Sequence, residues 1–133
     1  MADFATALRA RLLAATPVSA IVGTQIYWGV VPQGKTLPYI RLNTISDPLD
    51  EHLKGYTDRQ RPRVQADCFA TTYAVARDLA RKVIVALDQP ATAGGVAFNR
   101  IKAEGPRDLG EDVAGVGFVH RASVDLLVEH KLV

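Results

Sequence analysis

Apolar residues recur at Phe4, Ala5, Leu8 and Leu12, the spacing of one face of an α-helix. This pattern predicts a first helix from Asp3, a capping residue, to Ala15, with Pro17 marking its end. Arg9 and Arg11 are expected to turn away from its buried stripe. A short apolar segment, Val18 to Val22, stops at Gly23, and Ile26-Tyr27-Trp28 is closed by Gly29 before a Pro32-Gln33-Gly34-Lys35 turn. Leu37 to Ser46 alternates as a strand does, with Ile40, Leu42 and Thr44 on one face and Tyr39, Arg41 and Asn43 on the other. Arg61 to Ala70 alternates again: Val64, Ala66, Cys68 and Ala70 oppose Arg63, Gln65, Asp67 and Phe69. A second helix follows Thr71 or Thr72 and ends near Asp88, ahead of Pro90. Its predicted buried stripe is Val75, Ala76, Leu79, Ala80, Val83 and Leu87, and Arg77, Asp78, Arg81 and Lys82 form its wet side.

Gly94-Gly95 is expected to open a third strand running through Glu104. The last strand, Phe118 to about Glu129, places Phe118, Ala122, Val124, Leu126 and Val128 toward the core and Arg121, Ser123, Asp125, Leu127 and Glu129 outward. Two polar stretches, Asp47 to Gln60 and Gly105 to Gly117, are read as long loops, which are commonly functional or mobile. The order helix, strand, strand, helix, strand, strand predicts an α+β fold. Its sheet is four-stranded and mainly antiparallel, with two main helices packed on one face. One domain spans residues 1–133.

Composition narrows the class without choosing a function. At 133 residues, 48% hydrophobic and 23% charged, the chain is large enough for one core and is not a disordered, collagen-like or coiled-coil sequence. A net charge of +2 points to neither a nucleic-acid nor a membrane partner. The longest purely apolar run, Val83 to Leu87, is far short of a membrane span. With the single cysteine Cys68 no intrachain disulfide can form. Asp3 and the helical spacing behind it favour an ordinary first helix over a transit peptide, so an unprocessed intracellular product is expected.

A search for chemistry yields no catalytic, cofactor-binding or metal-binding residue. His52, His120 and His130 share no ligand spacing; His120, on the apolar side of its strand, reads as a structural histidine. Cys68, between small residues on an inward face, reads as packing rather than as a nucleophile. Asp108, Glu111 and Asp112 cluster in a glycine-bearing stretch but lack the alternation of a calcium loop. Gly115-Val116-Gly117 lacks a phosphate-loop lysine, and neither a nucleophile elbow nor a His-Glu-x-x-His pair occurs.

The outward strand faces mix charge with large apolar groups: Tyr39 beside Arg41, Phe69 beside Asp67, Phe98 beside Arg100, Leu127 beside Asp125. Apolar anchors framed by charge suit a subunit contact, although isolated exposed apolar residues are also ordinary. Arg59, Arg61 and Arg63 form a basic stripe for phosphates or for a partner's acids. The acids Asp50, Glu51 and Asp58 before it favour a strand edge or an intersubunit ion pair. The candidate subunit or partner interface therefore draws Tyr39, Arg41, Phe69, Arg121 and Leu127 from the strands and Arg59, Arg61 and Arg63 from the stripe. Asp50, Glu51 and Lys54 join it from the first polar stretch, and Asp108, Glu111 and Asp112 from the second.

In this layout the chain resembles the small phage tail-completion, or tail-terminator, proteins. The resemblance spans nearly the whole chain. It is carried by Leu8-Arg9-Ala10-Arg11-Leu12-Leu13 leading into Val18-Ser19-Ala20-Ile21-Val22-Gly23, and by Ile26-Tyr27-Trp28-Gly29-Val30-Val31-Pro32-Gln33-Gly34 followed by Leu37-Pro38-Tyr39-Ile40. An Arg-x-Gln-x-Asp strand, Arg63 to Asp67, then feeds a helix ending in Ala86-Leu87-Asp88. The resemblance implies helices against an antiparallel sheet, assembled as a hexameric ring that caps the finished tail tube and joins it to the head-side connector. It implies no catalysis and no cofactor. The partners would be copies of the chain, the tube protein and the connector or neck protein, with DNA passing through the lumen without specific binding and with no membrane. The location would be the tail–neck junction of a virion or phage-like particle such as a gene transfer agent, assembled in the bacterial cytoplasm. The rival readings are a neighbouring neck protein, a small-molecule-binding or enzymatic α+β domain using His120 or Asp125, and a DNA binder using the arginine stripe.

Overall fold

A computed structural model describes residues 3–47, 51–52, 55–56 and 59–132, with the side chains of 51, 52, 55 and 56 excepted. The chain folds as α+β, with three helices and mostly antiparallel strands among the described residues. The first helix, α1 (Phe4–Ala14), begins as predicted: the Asp3 carboxylate accepts from the backbone N–H groups of Ala5 and Thr6. Behind it Thr16–Val22 forms a separate short helix, α2, with Pro17 in its first turn, where a missing N–H costs nothing. α3 (Tyr73–Leu87) is capped by Thr72, whose hydroxyl accepts from Val75 N–H.

The main sheet is built from β1 (Ile26–Trp28), β2 (Tyr39–Ser46), β6 (Arg63–Ala70), β10 (Gly117–Leu127) and β9 (Lys102–Val113), side by side in that order. Only β1 and β2 run parallel. Short strands β3 (Glu51–His52) and β4 (Gly55–Tyr56) pair with each other. β5 (Arg59–Gln60), β11 (His130–Leu132), β8 (Val96–Phe98) and β7 (Ala91–Ala93) form a second, four-stranded antiparallel sheet. The expected single four-stranded sheet is therefore a five-stranded mixed sheet with a smaller sheet beside it.

One face of the main sheet lies under the helices. Ile40 and Leu42 of β2, Val64, Ala66 and Cys68 of β6, and Ala122, Val124 and Leu126 of β10 meet Leu8 and Leu12 of α1 and Leu79, Ala80 and Val83 of α3. Apart from Thr44 and Phe118, these strands contribute the alternate residues that their sequence pattern assigned to the core. Val75, expected in the α3 stripe, and Phe118, expected under the helices, are exposed instead. Thr44 is also exposed, in the last, outer part of β2 where Asn43 is followed by exposed residues only.

Two further expectations are corrected. Gly94-Gly95 does not open a long strand; it is the two-residue turn of the β7–β8 hairpin, with positive φ at both residues (56° and 77°). This hairpin carries Phe98 into the core, where it is 2% exposed, rather than onto an outer face. Gly105 to Gly117 is not a loop but most of a hairpin, β9 and β10 being joined at residues 114–116. Arg9 and Arg11 do not simply face water. Arg9 donates to the carbonyls of Ile26 (2.7 Å) and Thr24 (3.1 Å), and Arg11 donates to those of Gln89 (3.0 Å) and Ala86 (3.4 Å) while lying over the Phe98 ring. Both arginines tie α1 to neighbouring elements. Among the described residues no single helix is long and apolar enough to cross a membrane; α1 and α2 pass as a pair, bent by 88°, on length and composition alone.

Candidate functional site

The open face of the main sheet, away from the helices, is ordered in rungs. Tyr39, Phe69, Arg121 and Leu109 face one another across β2, β6, β10 and β9; the next rung is Arg41, Asp67, Ser123 and Arg107. Asp67 is fully buried on this outer face. Arg41 Nη2 donates to Asp67 Oδ2 at 3.0 Å, and Gln65 Nε2 donates to Oδ1 at 2.9 Å. Arg121 Nε stands 3.0 Å from Oδ1, an ion pair by distance without an aligned N–H. Burial raises the Asp67 pKa, but the facing groups of Gln65, Ser123, Arg41 and Arg121 outweigh it and hold the carboxyl below its ordinary value.

Both guanidinium groups also lie over the Phe69 ring, at 5.3 Å and 5.9 Å, and Tyr39 packs against it at 5.1 Å. Phe69 is on the predicted face, but at 9% exposure it is covered by its own neighbours. It is not an exposed anchor, and charge placed there meets buried Asp67. Further along, Arg107 pairs with Asp125 at 3.3 Å, and Leu127 remains half-buried.

The outer part of the β9–β10 hairpin, residues 107–118, is exposed throughout. Leu109, Val113, Val116 and Phe118 are all exposed on it, and Tyr73 and Val75 are exposed at the start of α3. Glycines shape this hairpin. Gly105, at φ +110°, sits where the register between β9 and β10 shifts, and a Cβ there would stand 2.9 Å from the Ser123 carbonyl oxygen. At Gly110 a Cβ would meet the Phe118 ring and the Val119 carbonyl oxygen at 2.7 Å, so only glycine lets that ring lie across β9. Gly115, at φ +80°, makes the turn.

On the helix side of the hairpin, Tyr73, Arg77, Asp108, Phe118 and His120 line an open cleft of about 450 Å³. Asp108 accepts from Arg77 (2.8 Å) and from the Tyr73 hydroxyl (2.9 Å), and the Arg77 bond, then the Tyr73 bond, holds its carboxyl below the usual range. The His120 ring lies between Phe118 (4.7 Å) and Tyr73 (6.0 Å). On the opposite side Leu37, Tyr39, Phe69, Val113 and Val116 line a second cleft of about 400 Å³, with Lys35 and Glu111 at its rim.

The structure therefore separates the acids that the sequence grouped. Asp108 and Asp112 share the helix side with Gly110, and Glu111 falls on the open face. Arg59, Arg61 and Arg63 do not form one stripe: Arg59 in β5 pairs with Glu129 at 2.9 Å, while Arg63 begins β6 beyond Pro62. That ion pair, with Arg59 as the main cause, lowers the Glu129 pKa. Asp50 and Lys54 lie outside the described residues, as does the side chain of Glu51. Cys68 is buried in the core, and burial pushes its thiol well up. Among the described residues no group of three or more His, Cys, Asp or Glu is placed to hold a metal ion. The sequence reading missed the exposed residues at the hairpin tip, Val113 and Val116, because the glycines around them signalled a loop.

Comparison with known proteins follows the fold closely. The model of the family described as tail completion protein gp17 matches residues 6–127. A chain of the solved structure "Virion of native gene transfer agent (GTA) particle" superposes with a TM-score of 0.68 at 18% identity, over 96% of this chain and 92% of that one. A second solved chain gives a TM-score of 0.54 at 13% identity, covering 94% of this chain and 92% of its own. At these identities the likeness is one of fold. No curated protein matches the sequence.

Proposed function

The chain belongs to the tail completion protein gp17 family, and from that premise we propose that it terminates a phage-type tail tube. In this reading copies of the chain form a hexameric ring that caps the tube and offers the head-side connector a docking face. The role is structural, with no catalysis and no cofactor, and DNA passes through the lumen without specific readout. Its location is the tail–neck junction of a virion or phage-like particle, assembled in the bacterial cytoplasm. The fold shared with a chain of a gene transfer agent virion supports the same reading.

The observation that carries it is the family match across residues 6–127, joined to a surface that suits assembly. Leu109, Val113, Val116 and Phe118 are exposed together on the β9–β10 hairpin, with Tyr73 and Val75 exposed at the start of α3, while Val30, Ile45, Val85 and Leu132 are exposed elsewhere. A heterologous contact between neighbours closes into a ring when its rotation closes, and closure buries such surface in every copy. The clefts support an interface better than an enzyme: both are open, and Asp108 is engaged by Arg77 and Tyr73.

The test is tube growth. Purified protein added to polymerising tube subunits should stop elongation at one end and shorten the tubes as its concentration rises. Unchanged tube lengths at saturating protein would sink the terminator reading.

A further inference from the structure

We propose that the tip of the β9–β10 hairpin of one copy docks into a groove between α2 and α3 of the next copy. The proposal rests on the ring reading above and names the contact that closes it. The groove is about 320 Å³ and almost wholly apolar, formed by Ala15, Pro17, Val85 and Ala86. Val85 lines it and is 74% exposed, whereas Leu79, Ala80, Val83 and Leu87 of the same helix are buried. The tip offers the matching apolar groups, Val113 and Val116, the latter 59% exposed.

Charge selects the occupant. The tip carries Glu111 and Asp112, which have no ion pair among the described residues. The groove is rimmed by Arg81, likewise without one there, and by Lys82, whose only ion pair there is an exposed one with Asp78. An acidic-rimmed apolar tip and a basic-rimmed apolar groove on the same chain are complementary to each other rather than each to itself. Such a pair makes a head-to-tail contact, the kind that generates rings. The β1 edge of the main sheet is partly engaged within the chain. The outward Ile26 carbonyl of β1 is already taken by Arg9 at 2.7 Å, and Trp28 Nε1 is turned into α1, donating to Ala5 O at 2.9 Å.

A disulfide trap tests the contact. The double variant Val85→Cys/Val116→Cys changes two exposed positions, and the only native thiol, Cys68, is buried. Mild oxidation should give a ladder of covalent multimers ending at the ring, whereas each single variant should give no ladder. Joint replacement of Glu111 and Asp112 by lysine should weaken assembly on the order of tenfold, and adding Arg81→Glu and Lys82→Glu should restore most of it. A ring-sized species in solution with no cross-linked ladder would overturn this contact and leave the ring reading standing. A protein that stays monomeric, free and on tube ends alike, would overturn both. A cross-link to the tube protein instead of to a second copy would assign the hairpin to that partner and refute the proposal.

Discussion

Arg41 and Asp67 stand directly opposite each other on β2 and β6, joined by a 3.0 Å hydrogen bond on a face of the sheet that no helix covers. Arg121 reaches the same carboxylate from β10, so one buried acid links the three central strands across their open side. The two guanidinium groups roof Phe69 while they neutralise Asp67. This arrangement satisfies charge and aromatic groups on that face from within the chain.

Removing the acid leaves two arginines facing each other over an apolar ring. Asp67→Ala should destabilise the fold by about 2–4 kcal/mol, toward the lower end of the cost of breaking a buried pair because both arginines are partly exposed. Urea denaturation followed by circular dichroism checks this. A loss within a few tenths of a kcal/mol would show that the network is ornamental.

The same residue sets an acid dependence. The folded pKa of Asp67 is depressed, so its stabilisation is present above the unfolded value of about 3.9 and is lost as pH falls through the folded value. Stability of the native protein should therefore fall on acidification below about pH 4 more steeply than that of Asp67→Asn. Parallel slopes from pH 5 to pH 2, measured by thermal unfolding, would contradict the assignment.

At Gly110 the hairpin tolerates no side chain without moving the Phe118 ring and the β10 backbone. Gly110→Ala should cost about 1–3 kcal/mol and loosen residues 107–121 locally. Hydrogen exchange should quicken in that hairpin and stay unchanged in α3 and β6. Uniform exchange across the molecule would count against a local effect.

Phe69 and Leu127 share the open face but predict opposite results. Phe69→Asp places a second carboxylate against Asp67 in a nearly closed site, and it should destabilise the chain by about 3 kcal/mol or more. Leu127→Asp, at a half-buried position, should leave a folded chain with impaired assembly. Thermal melting together with light scattering separates the two, and a stable Phe69→Asp monomer would mean that its ring is not held as described.

Much of this was legible from periodicity alone. The Asp3 and Thr72 caps, the limits of α1 and α3 and most inward residues of β2, β6 and β10 follow from local spacing, because one face of each element meets the core. The helix at Thr16–Val22, read only as an apolar segment, and the exposure of Thr44 and Phe118 do not. The hairpin was not legible. Gly105, Gly110, Gly115 and Gly117 read as a loop, yet Gly105 serves a bulge and Gly110 a ring clearance, both set by contacts with β10, while Gly115 and Gly117 supply the positive φ of the turn. The burial of Phe69 was also hidden, since a two-residue alternation gives its face but not the two arginines that close over it. Arg9 and Arg11 misled for a related reason: their partners are backbone carbonyls on distant segments, which composition does not signal.

Electron microscopy of tail tubes incubated with the purified protein tests the central claim most directly. A single ring of six copies, seated at one end of each tube and absent from its length, is the predicted image. Bare ends, or protein spread along the tube wall, would contradict a terminator.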